Sequence, residues 1–219
     1  MYDIKVRNVR REELDEVIRV EQEAWPAELR ASKDKFESRL NVFPDGFFGV
    51  YVNNKLVGVS TSISINYNFN DKFDWYKLTD NGYGRNHNIN GNCLYVVSVG
   101  TSQTNDLKPV REYLKKNNYD TLGAMLVKKQ IGLAKKYGKE VLVLTARVPG
   151  YRKYYNENKG TIDEYLDLTI NKNGIIEAHD PEIRFYKRCG LNISKIIPNA
   201  EEDHDSMNYG IIMSWKNKL

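Results

Sequence analysis

The residues of this chain that could do chemistry fall into three groups. The first is a helix entrance. Asn118-Tyr119-Asp120-Thr121-Leu122-Gly123-Ala124 follows a polar connection and leads into the apolar periodicity of a helix. A helix start leaves backbone N–H groups without intrahelical acceptors and carries the positive end of the helix dipole, so this point suits a phosphate or another anion. The second group is a run of acids, Glu201, Glu202, Asp203 and Asp205, with His204 among them. Such a run can draw in a cationic amine or relay a proton; it can also be an ordinary solvated turn. The third group is a scatter of single reactive side chains. His87, His179 and His204 stand apart and read as surface residues. Cys93 and Cys189 have no adjacent histidine to activate them and read as small apolar side chains. His179-Asp180 alone does not make a metal site, and no Cys/His cluster has ligand spacing, so no metal is expected.

The helix entrance needs a strand-helix-strand unit to position it. Residues 94–99 and 141–145 are apolar runs, and the helix that begins near Thr121 lies between them. Two parallel strands need such a crossover, which sets the helix N-terminus beside a strand's carboxyl end. Ahead of this unit, Ile4 to Arg7 alternates as a strand. Residues 11–23 give a helix with Leu14, Val17 and Ile18 on one face, extended by Trp25 and stopped by Pro26. Residues 32–40 give a second helix with Ser32 as N-cap. Residues 47–52 and 56–65 form a hairpin around Asn53-Asn54, since asparagine tolerates left-handed backbone. The second hairpin strand puts Val57, Val59, Thr61, Ile63 and Ile65 on one face. Gly58, Ser60, Ser62 and Ser64 form a small polar face that meets a ligand or water.

Two long breaks follow the hairpin and the crossover unit. Residues 66–92 are rich in Asn, Asp, Gly and aromatics, and the aromatics should anchor the segment. Residues 149–173 begin with Pro149-Gly150-Tyr151. Within them, Thr161 to Glu164 has capping-box spacing, and Ile162, Tyr165, Leu166 and Ile170 give a helical face. Asp180-Pro181 starts another helix that carries Ile183, Phe185 and Tyr186 and stops at Gly190. Strands over 192–197 and 208–215 close the chain. The mixture of antiparallel pairs with one parallel crossover predicts an α/β (α+β) fold rather than an alternating doubly wound one. One domain is expected over residues 1–219.

Composition narrows the classes. The chain has 219 residues, 41% hydrophobic and 28% charged, which supports a folded core. Lys and Arg (33) nearly balance Asp and Glu (29) for a net charge of +4, so a nucleic-acid partner is not expected. No apolar run approaches the roughly 20 residues that cross a bilayer, and residues 1–11 lack the apolar stretch of a signal peptide. With two cysteines and no disulfide framework, a cytoplasmic location is the expectation, with no membrane partner.

The order of elements and three local segments resemble the GNAT superfamily of N-acyltransferases over nearly the whole chain. Val97-Ser98-Val99 matches the fourth strand, which in that family lends backbone groups to the pantetheine arm. Residues 118–124 match the family's pyrophosphate loop, Arg/Gln-x-x-Gly-x-Gly/Ala, with Asn118 and Thr121 departing and Gly123 kept. Phe185-Tyr186-Lys187-Arg188-Cys189-Gly190-Leu191 matches its Phe-Tyr-x-x-x-Gly-Phe segment. Thr121 resists the positive φ that a glycine allows, but could cap the helix or offer its hydroxyl to phosphate. Asp120 would repel phosphate unless turned away. The connection between Val99 and Tyr119 is longer than in the family, and its Lys108, Arg111, Lys115 and Lys116 could restore the lost positive charge.

The segment from Arg147 to Tyr151, the acidic loop, Tyr209 and Trp215 resemble a narrower set, the GNAT domains often fused to carbon–nitrogen hydrolases. With the last residue at Leu219, no hydrolase segment is expected. The resemblance implies a mixed central sheet with helices on both faces. It also implies acetyl-CoA as cosubstrate, held by Val97, Ser98, Val99 and residues 118–124, and a small-molecule or peptide primary amine as acceptor. Tyr186 would be the general acid for the leaving thiolate, and a backbone N–H near Val99 would polarise the carbonyl. A homodimer is compatible with it. Alternatives are a non-catalytic acyl-CoA binder and an interaction module that keeps the fold alone. The sequence identifies no general base.

Overall fold

The computed structural model describes residues 1–217. By internal contacts the chain forms two compact units. One comprises residues 1–68, 75–142 and 216–217; the other comprises 69–74 and 143–215.

The first unit is built on antiparallel strands β1 (Ile4–Asn8), β2 (Phe47–Val52), β3 (Lys55–Ile65) and β4 (Cys93–Thr101), hydrogen-bonded in that order. The start of β5 (Val141–Ala146) lies beside β4 and runs parallel to it. The helices are α1 (Leu14–Ala24), α2 (Lys33–Val42), the short α3 (Trp75–Thr79), α4 (Lys108–Lys116) and α5 (Leu122–Lys136). Asn53 and Asn54, at φ 48° and 66°, make the tight β2–β3 turn that their side chains favour. Residue alternation along β3 shows helices on both faces. Ser60 Oγ accepts from Gln130 Nε2 of α5 at 3.0 Å, while its neighbour Thr61 faces Arg39 of α2. A core of Leu14, Val17, Val20, Phe36, Phe47 and Val59 fills the α1–α2 side.

The second unit continues β5 and sets it beside β9 (Gly210–Lys216), which pairs antiparallel with β8 (Asn192–Ile197). It adds α6 (Tyr151–Asn158), α7 (Ile162–Asp167), α8 (Pro181–Arg188) and a separate hairpin, β6 (Thr169–Lys172) with β7 (Ile175–Ala178).

Several expectations needed correcting. The serine face of β3 meets neither water nor an open ligand space. Ser60, Ser62 and Ser64 are buried under α5 and the loops beside it, bonding Gln130, the Gly46 carbonyl and the Gly91 carbonyl. Trp25 does not extend α1, because its extended backbone (φ −123°, ψ 145°) ends that helix. Ser32 stands at the start of α2 without a side-chain cap bond. Ile170 leaves the predicted helical face and enters β6, a hairpin whose Asn173-Gly174 turn, with both residues at positive φ, is plain in the sequence once sought. The polar connection after β4 contains helix α4.

Candidate active site

β4 carries the first group of candidate residues. Thr61 pairs with Ser98 and Ser62 with Val96, so Val97 is the extra residue of a bulge. A bulge breaks the hydrogen-bond ladder and re-aims the strand next to it, a common device at active sites. Burial changes at the same point: Leu94 to Val97 are buried, and Ser98 and Val99 are partly open. The Ser98 hydroxyl lies 3.1 Å from Thr61 Oγ1, and Arg39 Nη1 reaches both at 3.3 Å. Arg39 is buried, its Nε donating to the Gly82 carbonyl at 2.6 Å, and desolvation lowers its pKa to about 10, well inside the charged range at neutral pH.

The second group opens α5, which packs against β4. Thr121 is the N-cap, with extended backbone and Oγ1 accepting the Ala124 N–H at 3.2 Å. One of the first-turn donors is thereby used, and the N–H groups of Leu122 and Gly123 have no intrahelical acceptor. Positive φ occurs at Asn118 (55°), which with Tyr119 closes the end of α4 through N–H bonds to the Lys115 and Leu114 carbonyls. Asn118 therefore turns the chain, and the residue that resists positive φ, Thr121, does not have to adopt it. Asp120 does not face the helix end unpaired: Lys128 Nζ lies 2.7 Å from both of its oxygens. Tyr119 is exposed and Leu122 buried. Of the inserted cations, Arg111 donates to the Ser102 carbonyl, while Lys115 and Lys116 occupy the last turn of α4, where they complement its dipole.

Tyr186 belongs to the second unit. Asp180 caps α8, its Oδ1 accepting from the N–H of Glu182 at 2.9 Å and of Ile183 at 3.0 Å; its Oδ2 accepts from the Tyr165 hydroxyl at 2.8 Å. Tyr186 is 7% exposed and meets Phe185 edge-on at 4.9 Å between ring centres. Burial, reinforced by the nearby Glu182 carboxylate, pushes its phenol pKa well up, so the proton stays on at neutral pH. One turn earlier, Glu182 Oε1 accepts the Arg147 N–H at 3.0 Å, and burial pushes its carboxyl up to about 7. Sequence reading missed Glu182. The available signal was its i,i+4 spacing from Tyr186.

The acidic loop is not a solvated turn throughout. Asp203 is buried and holds Arg147 through two bonds of 2.7 and 2.8 Å while accepting from Ser206 Oγ at 2.6 Å. Its carboxyl is held low by Arg147 and Ser206 against desolvation. His87 is not a free surface group either. Its Nδ1 accepts the Ser64 N–H at 3.0 Å and its ring stacks on Phe43 at 4.3 Å, pinning the long 66–92 segment to β3. Among the described residues, no group of three or more His, Cys, Asp or Glu side chains is placed to hold a metal ion, and no helix is long and apolar enough to cross a membrane.

A strand with a bulge at Val97 thus lies against a helix whose first turn leaves backbone N–H groups without intrahelical acceptors, a setting that suits an anion. No family model matches the chain. It is 27% identical to an uncharacterized N-acetyltransferase, YkwB of Bacillus subtilis, over 98% of this chain and 89% of that one. It is 26% identical to the probable hydrolase YhcX of the same organism over 97% of its own length, and it spans 38% of that longer protein. Among solved structures it superposes on the loading GNATL domain of CurA from Lyngbya majuscula with a TM-score of 0.77 at 20% identity, covering 98% of both chains. It superposes on the GphF GNAT-like decarboxylase in complex with isobutyryl-CoA with a TM-score of 0.74 at 21% identity, covering 97% of this chain and 98% of that one. The chain has the GNAT fold, and over nearly its whole length it is similar in sequence to an N-acetyltransferase.

Proposed function

We propose that the protein is an N-acyltransferase that moves an acetyl group from coenzyme A thioester to a primary amine by direct attack. The observation that carries this reading is the start of α5. Thr121 uses one first-turn N–H, leaving those of Leu122 and Gly123 for a pyrophosphate, and Lys128 pairs with the Asp120 carboxylate that would oppose it. On β4, the bulge at Val97 and the partial opening at Ser98 and Val99 suit a pantetheine arm and a backbone N–H aimed at the thioester carbonyl. Tyr186, kept protonated by burial, would supply the proton for the departing thiolate. The isobutyryl-CoA bound by the GphF domain, on the same fold, is consistent with a thioester ligand. The match to little more than a third of a longer probable hydrolase fits the narrower set of GNAT domains found in fusions.

Titration calorimetry with acetyl-CoA, followed by thiol release across a panel of primary amines, tests the reading. Heat of binding and amine-dependent thiol release with an acylated product are expected. Binding without release in any amine would leave an acyl-CoA binder. No binding at millimolar acetyl-CoA would leave only the fold. Thiol release without acylated amine would remove aminolysis.

A further inference from the structure

We propose that Glu182 is the general base of this reaction, taking a proton from the ammonium group of the acceptor beside the Tyr186 acid. This rests on the N-acyltransferase reading above. Glu182 and Tyr186 are i and i+4 on α8, so their side chains lie one above the other on one face of the helix. The helix is fixed at its start by Asp180, and the Glu182 carboxyl is fixed by the Arg147 N–H at the exit of β5, 3.0 Å from Oε1. One oxygen is therefore held in place for orientation.

The groups acting on Glu182 come from three elements. From the β5 exit, Arg147 favours the carboxylate, though its guanidinium is already bound by Asp203. Asp180 at the helix start and Asp203 in the acidic loop oppose ionisation, and Tyr186 shares the helix face. Glu201, in the field of the same Arg147 and Asp203, is a second partly buried carboxyl that desolvation pushes up to about 7, and is the rival candidate. Burial outweighs Arg147 at Glu182 and gives a carboxyl near 7, matched to taking a proton at neutral pH. The phenol beside it stays protonated, so one helix face holds a base and an acid with different tasks.

The protons balance. The Glu182 carboxylate takes one proton from R–NH3+, and the freed lone pair forms the C–N bond to the thioester carbon. The C–S bond breaks with its electron pair leaving on sulfur, and Tyr186 gives that sulfur its phenolic proton. The second N–H proton, lost as the amide forms, restores Tyr186. Glu182 returns its proton to water, so one proton is released overall.

The test is Glu182→Gln, which keeps an oxygen for the Arg147 N–H and so keeps the fold. Expected are an unchanged melting temperature and acetyl-CoA affinity, a kcat lower by about 100-fold, and loss of the rise in kcat centred near pH 7. Glu201→Gln should retain that rise. Turnover by Glu182→Gln with the wild-type pH profile, or transfer of the effect to Glu201→Gln, would overturn the inference alone. Absence of turnover in the wild-type protein with every amine would overturn the acyltransferase reading and the inference with it.

Discussion

The Tyr186 hydroxyl is where the fold's chemistry is most exposed to test. Removing one oxygen, Tyr186→Phe, leaves the ring packed on Phe185 and deletes only the hydroxyl proposed as the proton donor. The expected result is a fall in kcat of roughly 100-fold with acetyl-CoA affinity unchanged in calorimetry. Equal turnover would take Tyr186 out of the mechanism. Both its raised pKa and that of Glu182 arise from burial, which disfavours charge on any acid, so neither could be read from the residue type. Glu13 shows the opposite case. Arg7 donates to it at 2.6 and 2.9 Å, the Arg10 N–H at 2.9 Å and the Tyr51 hydroxyl at 3.0 Å, and these bonds hold its carboxyl down to about 2. A depressed carboxyl adds stability above its ordinary pKa and loses it as pH falls through the depressed one. Glu13→Gln should therefore cost about 1 kcal/mol at pH 7, discounted for solvent screening, and progressively less as the pH falls from about 4.5 toward 2, read by urea denaturation across that range.

Helix α5 begins on the Thr121 cap, and its first turn is also the proposed ligand site. Its Thr121 cap was legible in the sequence as a threonine before an apolar periodic run, and the structure places the hydroxyl on the Ala124 N–H. Thr121→Ala should cost about 1 kcal/mol, a lower melting temperature by a few degrees, because the Ala124 donor loses its partner. Acetyl-CoA should still bind in calorimetry, since the Leu122 and Gly123 N–H groups are backbone and survive the change. Complete loss of binding would instead make the hydroxyl itself the phosphate ligand. The departure of Asn118 from the family motif has a local explanation: it closes α4 in left-handed backbone, a task created by the inserted helix and invisible in a loop motif.

For the molecule as a whole, buried polar networks fix the irregular segments that periodicity cannot describe. Asp203→Ala would leave the Arg147 guanidinium partly buried without its bidentate partner and release Ser206, whose hydroxyl accepts the Val148 N–H. A loss of about 3–5 kcal/mol is expected, seen as a drop in the midpoint of chemical denaturation, and Asp203→Asn should recover part of it. The strand order of the hairpin, the crossover unit, the Asp180 and Thr161 caps and the Asn53-Asn54 turn followed from sequence, because each depends on residues a few positions apart. The serine face of β3, the anchoring of His87, the pairing of Asp203 with Arg147 and the raised carboxyl of Glu182 did not. Their partners lie from 23 to 70 residues away, at His87 for Ser64, Arg147 for Glu182, Arg147 for Asp203 and Gln130 for Ser60. What the sequence determined by itself was where the chain turns, which faces are apolar and where a helix begins. Which polar groups leave water, and so which of them hold their protons near neutral pH, was decided only when distant segments packed together, since desolvation is a property of the assembled surroundings.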